Sequence, residues 1–223
     1  MARQKRAIAT RARIVKAASE CFSENGYRAT RITDILDRAQ CTNGTLLFHF
    51  PAKVDIANEI IGQQHDIVMK AAREAAGESS DSGIEDILVI SATLANLIAE
   101  SATVRAGLRL STESLAEFGA NVTKPYVEWI KYATHVLEKA RNAGELADGV
   151  VVQDLAEVIV SAFTGAQYLS ATISNSADLP VRLTKLWPIL FSQVSTAVYT
   201  EQAVKDVLNR HSVPIPAVTE TAA

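Results

Sequence analysis

QCTNGTLLFHFPAK, residues 40–53, holds a helix start, a short helix and a helix stop within one brief stretch. Thr42 has the hydroxyl that caps a helix N-terminus, where the first N–H groups lack partners within the helix. A helix from about Asn43 to Phe48 follows, and Phe50-Pro51 breaks it before a longer helix opens near Ala52. On the N-terminal side, Thr30 is placed to cap a second short helix over about 31–38. Ile32, Ile35 and Leu36 would face inward, and Ala39-Gln40-Cys41 would form the turn. Two short helices joined by a tight turn make a helix-turn-helix candidate. Before them, Ile8, Ala12, Val15, Ala18 and Phe22 recur at three- and four-residue spacing, the stripe of an amphipathic helix that Asn25-Gly26 stops.

After residue 53 the helical pattern continues to the end of the periodic sequence, without the alternation and Asn-Gly turns of hairpins. A helix from Ala52 to about Ala75 leads to the loop GESSDSG at 77–83. Apolar periodic segments follow at about 84–100, 103–110, 124–142, 153–174 and 180–208, with Pro188 set to kink or start a helix within the last. The expected fold is all-α: a three-helix head with the helix-turn-helix over residues 1–53, a larger ligand-binding and dimerisation domain over 54–210, and a disordered tail over 211–223.

Of the 223 residues 48% are hydrophobic and 21% charged, the balance of a folded globular protein rather than a disordered one. No apolar run reaches the length of a membrane span and the charged N-terminus has no apolar block behind it, so a cytoplasmic protein without membrane contact is expected. Cys21 and Cys41 are too few for a disulfide framework or a metal site and read as reduced, mostly buried thiols; neither metal nor cofactor is expected. The net charge of −3 hides a division: residues 1–53 carry ten Lys or Arg against four acids, and the remainder carries 12 bases against 21 acids. A basic head on an acidic body points to a polyanion bound at one end. Enzyme chemistry is disfavoured, because no nucleophile, base and orienting group can be named and no glycine-rich phosphate loop is present.

Thr42, Gly44, Leu46, His49, Phe50 and Lys53 resemble the recognition-helix pattern of the TetR family of transcriptional repressors, and with GYRATRITDIL upstream the likeness runs unbroken over about fifty residues. The resemblance implies a second helix that enters the major groove while its neighbours hold phosphates. Thr42, Asn43, Gly44, Thr45, Leu47 and His49 are then the candidate groove residues; Thr30, Arg31, Thr33 and Lys53 are candidates for the DNA backbone, and Lys5 and Arg6 for an arm near the minor groove. Leu46, Phe48 and Phe50 read as head core, and His49 also reads as a capping or packing histidine. Family members commonly have Tyr at the place of Leu47 and Lys at that of Asn43. Asn43 can still read an adenine edge, whereas Leu47 offers apolar contact to a thymine methyl or a sugar.

MARQKRAIATRARIVKAA at the start, FHFPAK, VRAGLRLS at 104–111, PYVEWI at 125–130 and the Leu186-Trp187 pair are similar to the γ-butyrolactone autoregulator receptors within that family. This likeness implies a small neutral amphiphilic effector of the butyrolactone, butenolide or alkylfuran class, with Trp129 against it and Gln64 and Thr164 bonding its polar end. An antibiotic or biosynthetic intermediate as effector, or no ligand at all, is the alternative. It further implies a homodimer on a near-palindromic operator, formed by helices at about 153–174 and 180–200 through Ala156, Ile159, Val160, Phe163, Leu186, Leu190 and Val194.

Overall fold

The computed structural model describes residues 2–77, 81–113, 118 and 120–211, with side chains left undescribed at residues 2, 3, 77, 120 and 121. Among them are ten helices: α1 (Ala2–Ala29), α2 (Ile32–Ala39), α3 (Asn43–His49), α4 (Lys53–Gly77), α5 (Gly83–Glu100), α6 (Ala102–Glu113), α7 (Ala120–Asn142), α8 (Val152–Ser174), α9 (Leu179–Phe191) and α10 (Glu201–Arg210). The all-α expectation holds, and the only strand-like pairing among the described residues is one antiparallel bridge between Leu146 and Ser195. Part of the expected 77–83 loop and the tail from residue 212 lie outside the described residues.

The chain divides into two compact units: residues 1–68 with 100–125, and residues 69–99 with 126–223. A boundary at 53/54 is therefore too early. The first half of α4 belongs to the head, and so does α6, because Ala106 and Leu110 join the head's buried cluster.

That cluster is built from Ile14, Val15, Ala18 and Phe22 of α1, Ile35 and Ala39 of α2, Leu46 and Phe50 around α3, and Ile56, Ala57, Ile60 and Ile61 of α4. The inward stripe of α1 starts later than the spacing implied, since Ile8 and Ala12 are exposed and Ile14 is sealed. The helical path breaks at Gly26, whose φ of 78° lies in the left-handed region that glycine adopts without a Cβ penalty, and one more turn follows before α2. Burial pushes the Cys21 thiol pKa up, as suits an inert core thiol, and both cysteines are free.

Within the second unit, Trp187 of α9 is sealed and donates its indole N–H to Ser91 Oγ on α5 at 3.0 Å. Gly83 at the head of α5 meets α7 so closely that a Cβ there would sit 2.5 Å from the Ala140 backbone nitrogen. Lys139 of α7 donates to the buried Asp86 carboxylate at 2.8 Å, and burial raises the pKa of Asp86 despite that partner. The last periodic segment is two helices rather than one. Pro188 lies inside α9, and the break comes at 192–200, where Thr196 N–H donates to Glu145 O and Thr200 caps α10.

Candidate nucleic-acid interface and effector residues

The turn between α2 and α3 rests on Gln40, which takes the left-handed conformation at φ 48° and closes α2 by donating its N–H to Asp37 O and Leu36 O. Thr42 Oγ1 then accepts the Thr45 N–H at 3.2 Å and shares a 2.9 Å hydrogen bond with Thr45 Oγ1, fixing the first turn of α3. Leu46 and Phe50 point into the core one turn apart, so α3 turns its opposite face outward. Asn43, Gly44, Leu47 and Phe48 are exposed on it, and a Cβ added at Gly44 would touch nothing within 4 Å.

Phe48 overturns an expectation. It is 78% exposed rather than part of the head core. The reason is helical register: with Leu46 and Phe50 inward at a spacing of four, residues 47 and 48 fall on the far side. Half-buried His49 meets the Phe48 ring edge-on at 5.1 Å.

Two expected phosphate contacts are turned inward. Thr30 does not cap α2. It is 1% exposed, and its hydroxyl donates to Gly26 O at 2.7 Å and Cys21 O at 3.2 Å, across the break in α1. Arg31 is the N-cap residue of α2, with its backbone N–H bound by Asp34 Oδ2 at 2.7 Å. Lys53 sends its ammonium to Tyr27 O at 2.8 Å and Thr30 O at 3.0 Å and lies over the Tyr27 ring, so its charge is spent on the head's own carbonyls. Arg31, Thr33, Lys5 and Arg6 are exposed, and the expected arm is the helical start of α1.

The basic count of the head overstates its surface charge. Arg11 makes a two-pronged ion pair with Glu59 and lies over the Phe50 ring, while Arg38 pairs with Glu24 in the same way. Arg109 of α6 donates to Ser23 O and Glu24 O, and Glu113 accepts the Tyr27 N–H, so α6 grips the end of α1. Sequence reading passed over that grip, although VRAGLRLS contains Arg109.

Of the effector candidates, Trp129 is half-buried and meets Tyr132 edge-on at 6.2 Å, and Tyr132 donates its hydroxyl to Ala72 O at 3.2 Å. Half-buried Thr164 donates to Val160 O, one turn back on α8, at 2.8 Å. Gln64 is buried within the first unit, where its Cβ would lie 2.4 Å from a Cβ placed on Gly107. Of the residues expected at a dimer surface, Ala156 and Ile159 are interior, while Val160, Phe163, Leu186, Leu190 and Val194 are half-buried; Val158, Leu169 and Ile173 on α8 and Ile189 on α9 are exposed.

A capped short helix whose polar and apolar side chains stand clear of a basic head defines a helix-turn-helix protein. A model of the bacterial regulatory proteins of the tetR family matches residues 14–60, and one described as the tetracyclin repressor-like C-terminal domain matches residues 81–195, more than half the chain. The chain belongs to the TetR family of transcriptional regulators, which are not enzymes. The A-factor receptor protein of Streptomyces griseus is 33% identical over 187 residues, which cover 84% of this chain and 64% of that protein, so the match spans under two thirds of that relative. A solved gamma-butyrolactone receptor, an ArpA-like protein, is 28% identical at a TM-score of 0.75, covering 92% of this chain and 98% of that one. CprB from Streptomyces coelicolor, solved in complex with its biological operator sequence, is 28% identical at a TM-score of 0.71, covering 91% and 94%. No single helix among the described residues is long and apolar enough to cross a membrane.

Proposed function

We propose that the protein is a ligand-responsive transcriptional repressor that binds near-palindromic operator DNA as a homodimer and is released by a small, neutral, butyrolactone-like molecule. The observation that carries this reading is the exposed, Thr42-capped face of α3 in a head that is basic by sequence, in a chain similar to a protein solved on its operator. Two such heads meet successive major grooves about 34 to 36 Å apart. Asn43 offers the paired donor and acceptor that suit an adenine edge, while Arg31, Thr33, Lys5 and Arg6 face phosphates.

The effector class is supported by the likeness to a gamma-butyrolactone receptor and by the aromatic Trp129–Tyr132 pair, against which a lactone with an alkyl chain can pack. Thr164 and Gln64 are further candidate contacts, each capable of a hydrogen bond. The ligand lowers DNA affinity by binding better to the form of the dimer that does not fit the operator; moving that equilibrium from 1:99 to 99:1 takes about 5.5 kcal/mol of differential binding.

The test is a gel shift of the purified protein on the DNA upstream of its own gene, challenged with γ-butyrolactones, butenolides and alkylfurans. Release by one class supports the proposal, and the Trp129→Ala protein should bind the DNA and ignore the same compound. Binding that no member of the panel relieves would overturn the effector class and move the search to antibiotics and their intermediates.

A further inference from the structure

The reading face of α3 is mostly hydrocarbon. Its exposed residues fall in two columns at helical spacing, Asn43 above Leu47 and Gly44 above Phe48. Thr42 and Thr45 hydrogen-bond to each other, Leu46 is buried and Thr45 and His49 are half-buried, so Asn43 is the one exposed polar side chain of this helix. Leu47 is 47% exposed and Phe48 78%, side by side, with bare backbone at Gly44 one turn before the ring.

Large apolar groups left adjacent in solvent mark a surface that is covered in use. The occupant of this one has to suit the basic segment 1–53, where ten Lys or Arg stand against four acids and Arg11 and Arg38 are held in ion pairs, and it must offer apolar groups at helix-groove distance. Duplex DNA has one such group on its base edges in the major groove, the thymine 5-methyl, which cytosine lacks. Resting on the DNA-binding reading above, we propose that Leu47 and Phe48 are specificity-determining residues that recognise thymine methyl groups, so that each operator half-site carries thymines opposite the second half of α3. Phe48 supplies a ring face and Leu47 a branched methyl pair. Neither can hydrogen-bond any base edge, so the discrimination at these positions comes from the methyl group, which a G·C pair does not offer.

The experiment uses the full chain. A duplex is selected from a random library by binding to it, then resynthesised with deoxyuridine in place of each thymine in turn, which removes one methyl group and keeps every hydrogen-bonding edge. The expected result is a loss of roughly fourfold in affinity at one or two positions per half-site and none elsewhere. Leu47→Ala and Phe48→Ala, both surface changes, should each weaken binding to the thymine duplex and lose the penalty at one of those positions. Tolerance of deoxyuridine at every position, or a penalty unchanged in both variants, overturns the inference while leaving the repressor reading in place. Failure to enrich any sequence overturns the DNA-binding reading, and this inference with it.

Discussion

Lys53 donates its ammonium to the backbone carbonyl of Thr30, 3.0 Å away, at the same time as it binds the carbonyl of Tyr27. The first residue of α4 therefore holds the link that joins α1 to α2, and so sets where the helix-turn-helix begins. Charged hydrogen bonds of this kind contribute about 1.5 to 3 kcal/mol when buried, and the half-buried setting places this pair toward the lower end. Lys53→Met should lower the unfolding free energy by about 1 to 2 kcal/mol in urea titrations. Operator binding by the folded fraction should keep its salt dependence, whereas Arg31→Ala should reduce the slope by about one unit without a comparable stability loss. A lowered slope in Lys53→Met would return that residue to the phosphate-binding set.

Gly107 and Gln64 provide a steric test within the head. A Cβ at Gly107 would lie 2.4 Å from Gln64 Cβ and 2.6 Å from its Cγ, inside any tolerable contact. Gly107→Ala should destabilise by about 1 to 3 kcal/mol, as overpacked cores do. Shortening the neighbour cannot relieve it, because Gln64→Ala keeps the offending Cβ. Restored stability in the double variant, measured by thermal unfolding, would show that the two helices separate more easily than their packing implies.

Acid should act through the Glu59 and Asp86 carboxyls with opposite sign. Hydrogen bonds from Arg11, and then Gln63, hold the Glu59 carboxyl below its usual range, so its contribution is present above about pH 4.3 and lost as pH falls below that. Burial instead raises the Asp86 pKa, so the folded state binds that proton more tightly than the unfolded chain, and stability is lost as pH rises through the raised value from about 3.9. Glu59→Gln should flatten the acid limb of the stability profile. The stability difference between Asp86→Asn and the parent should move against the variant on acidification. A pH-independent difference in either case contradicts the assignment.

Interior and exterior isoleucines on α8 should respond differently to a charge. Ile159 is buried and Ile173 is 67% exposed. Ile159→Asp should unfold the second unit, since a charge there has no partner. Ile173→Asp should leave circular dichroism unchanged while light scattering reports a monomer with little operator affinity. A dimer that survived Ile173→Asp would put the interface on another face.

The fold could be read from sequence wherever local chemistry decides it. Thr42 as a cap, Gln40 in the turn and the helix starts near 53, 83 and 152 all follow from side chains acting on their own backbone. Helix faces were harder. For Ile8 the spacing fixes only which residues share a side, and which side meets the core depends on helices distant in sequence. Phe48 could have been found by letting Leu46 and Phe50 set the register of so short a helix. Thr30 and Lys53 have side chains that serve phosphates well, and their bonds to the carbonyls of Cys21, Gly26, Tyr27 and Thr30 depend on tertiary geometry that spacing does not carry. A head and a larger domain are legible in the sequence, but the place of α6 in the head is not, because it joins across some forty intervening residues, a long-range contact that no local pattern announces.

The chain carries two tryptophans, and they inhabit unlike surroundings: Trp187 is sealed with its N–H on Ser91, while Trp129 is half open beside Tyr132. Their emission should therefore separate without any label, a blue component that reports the integrity of the second unit and a redder, quenchable one that belongs to Trp129. The molecule thus carries its own paired optical probe, one indole to watch for a visitor and the other to certify that the structure around it has not changed.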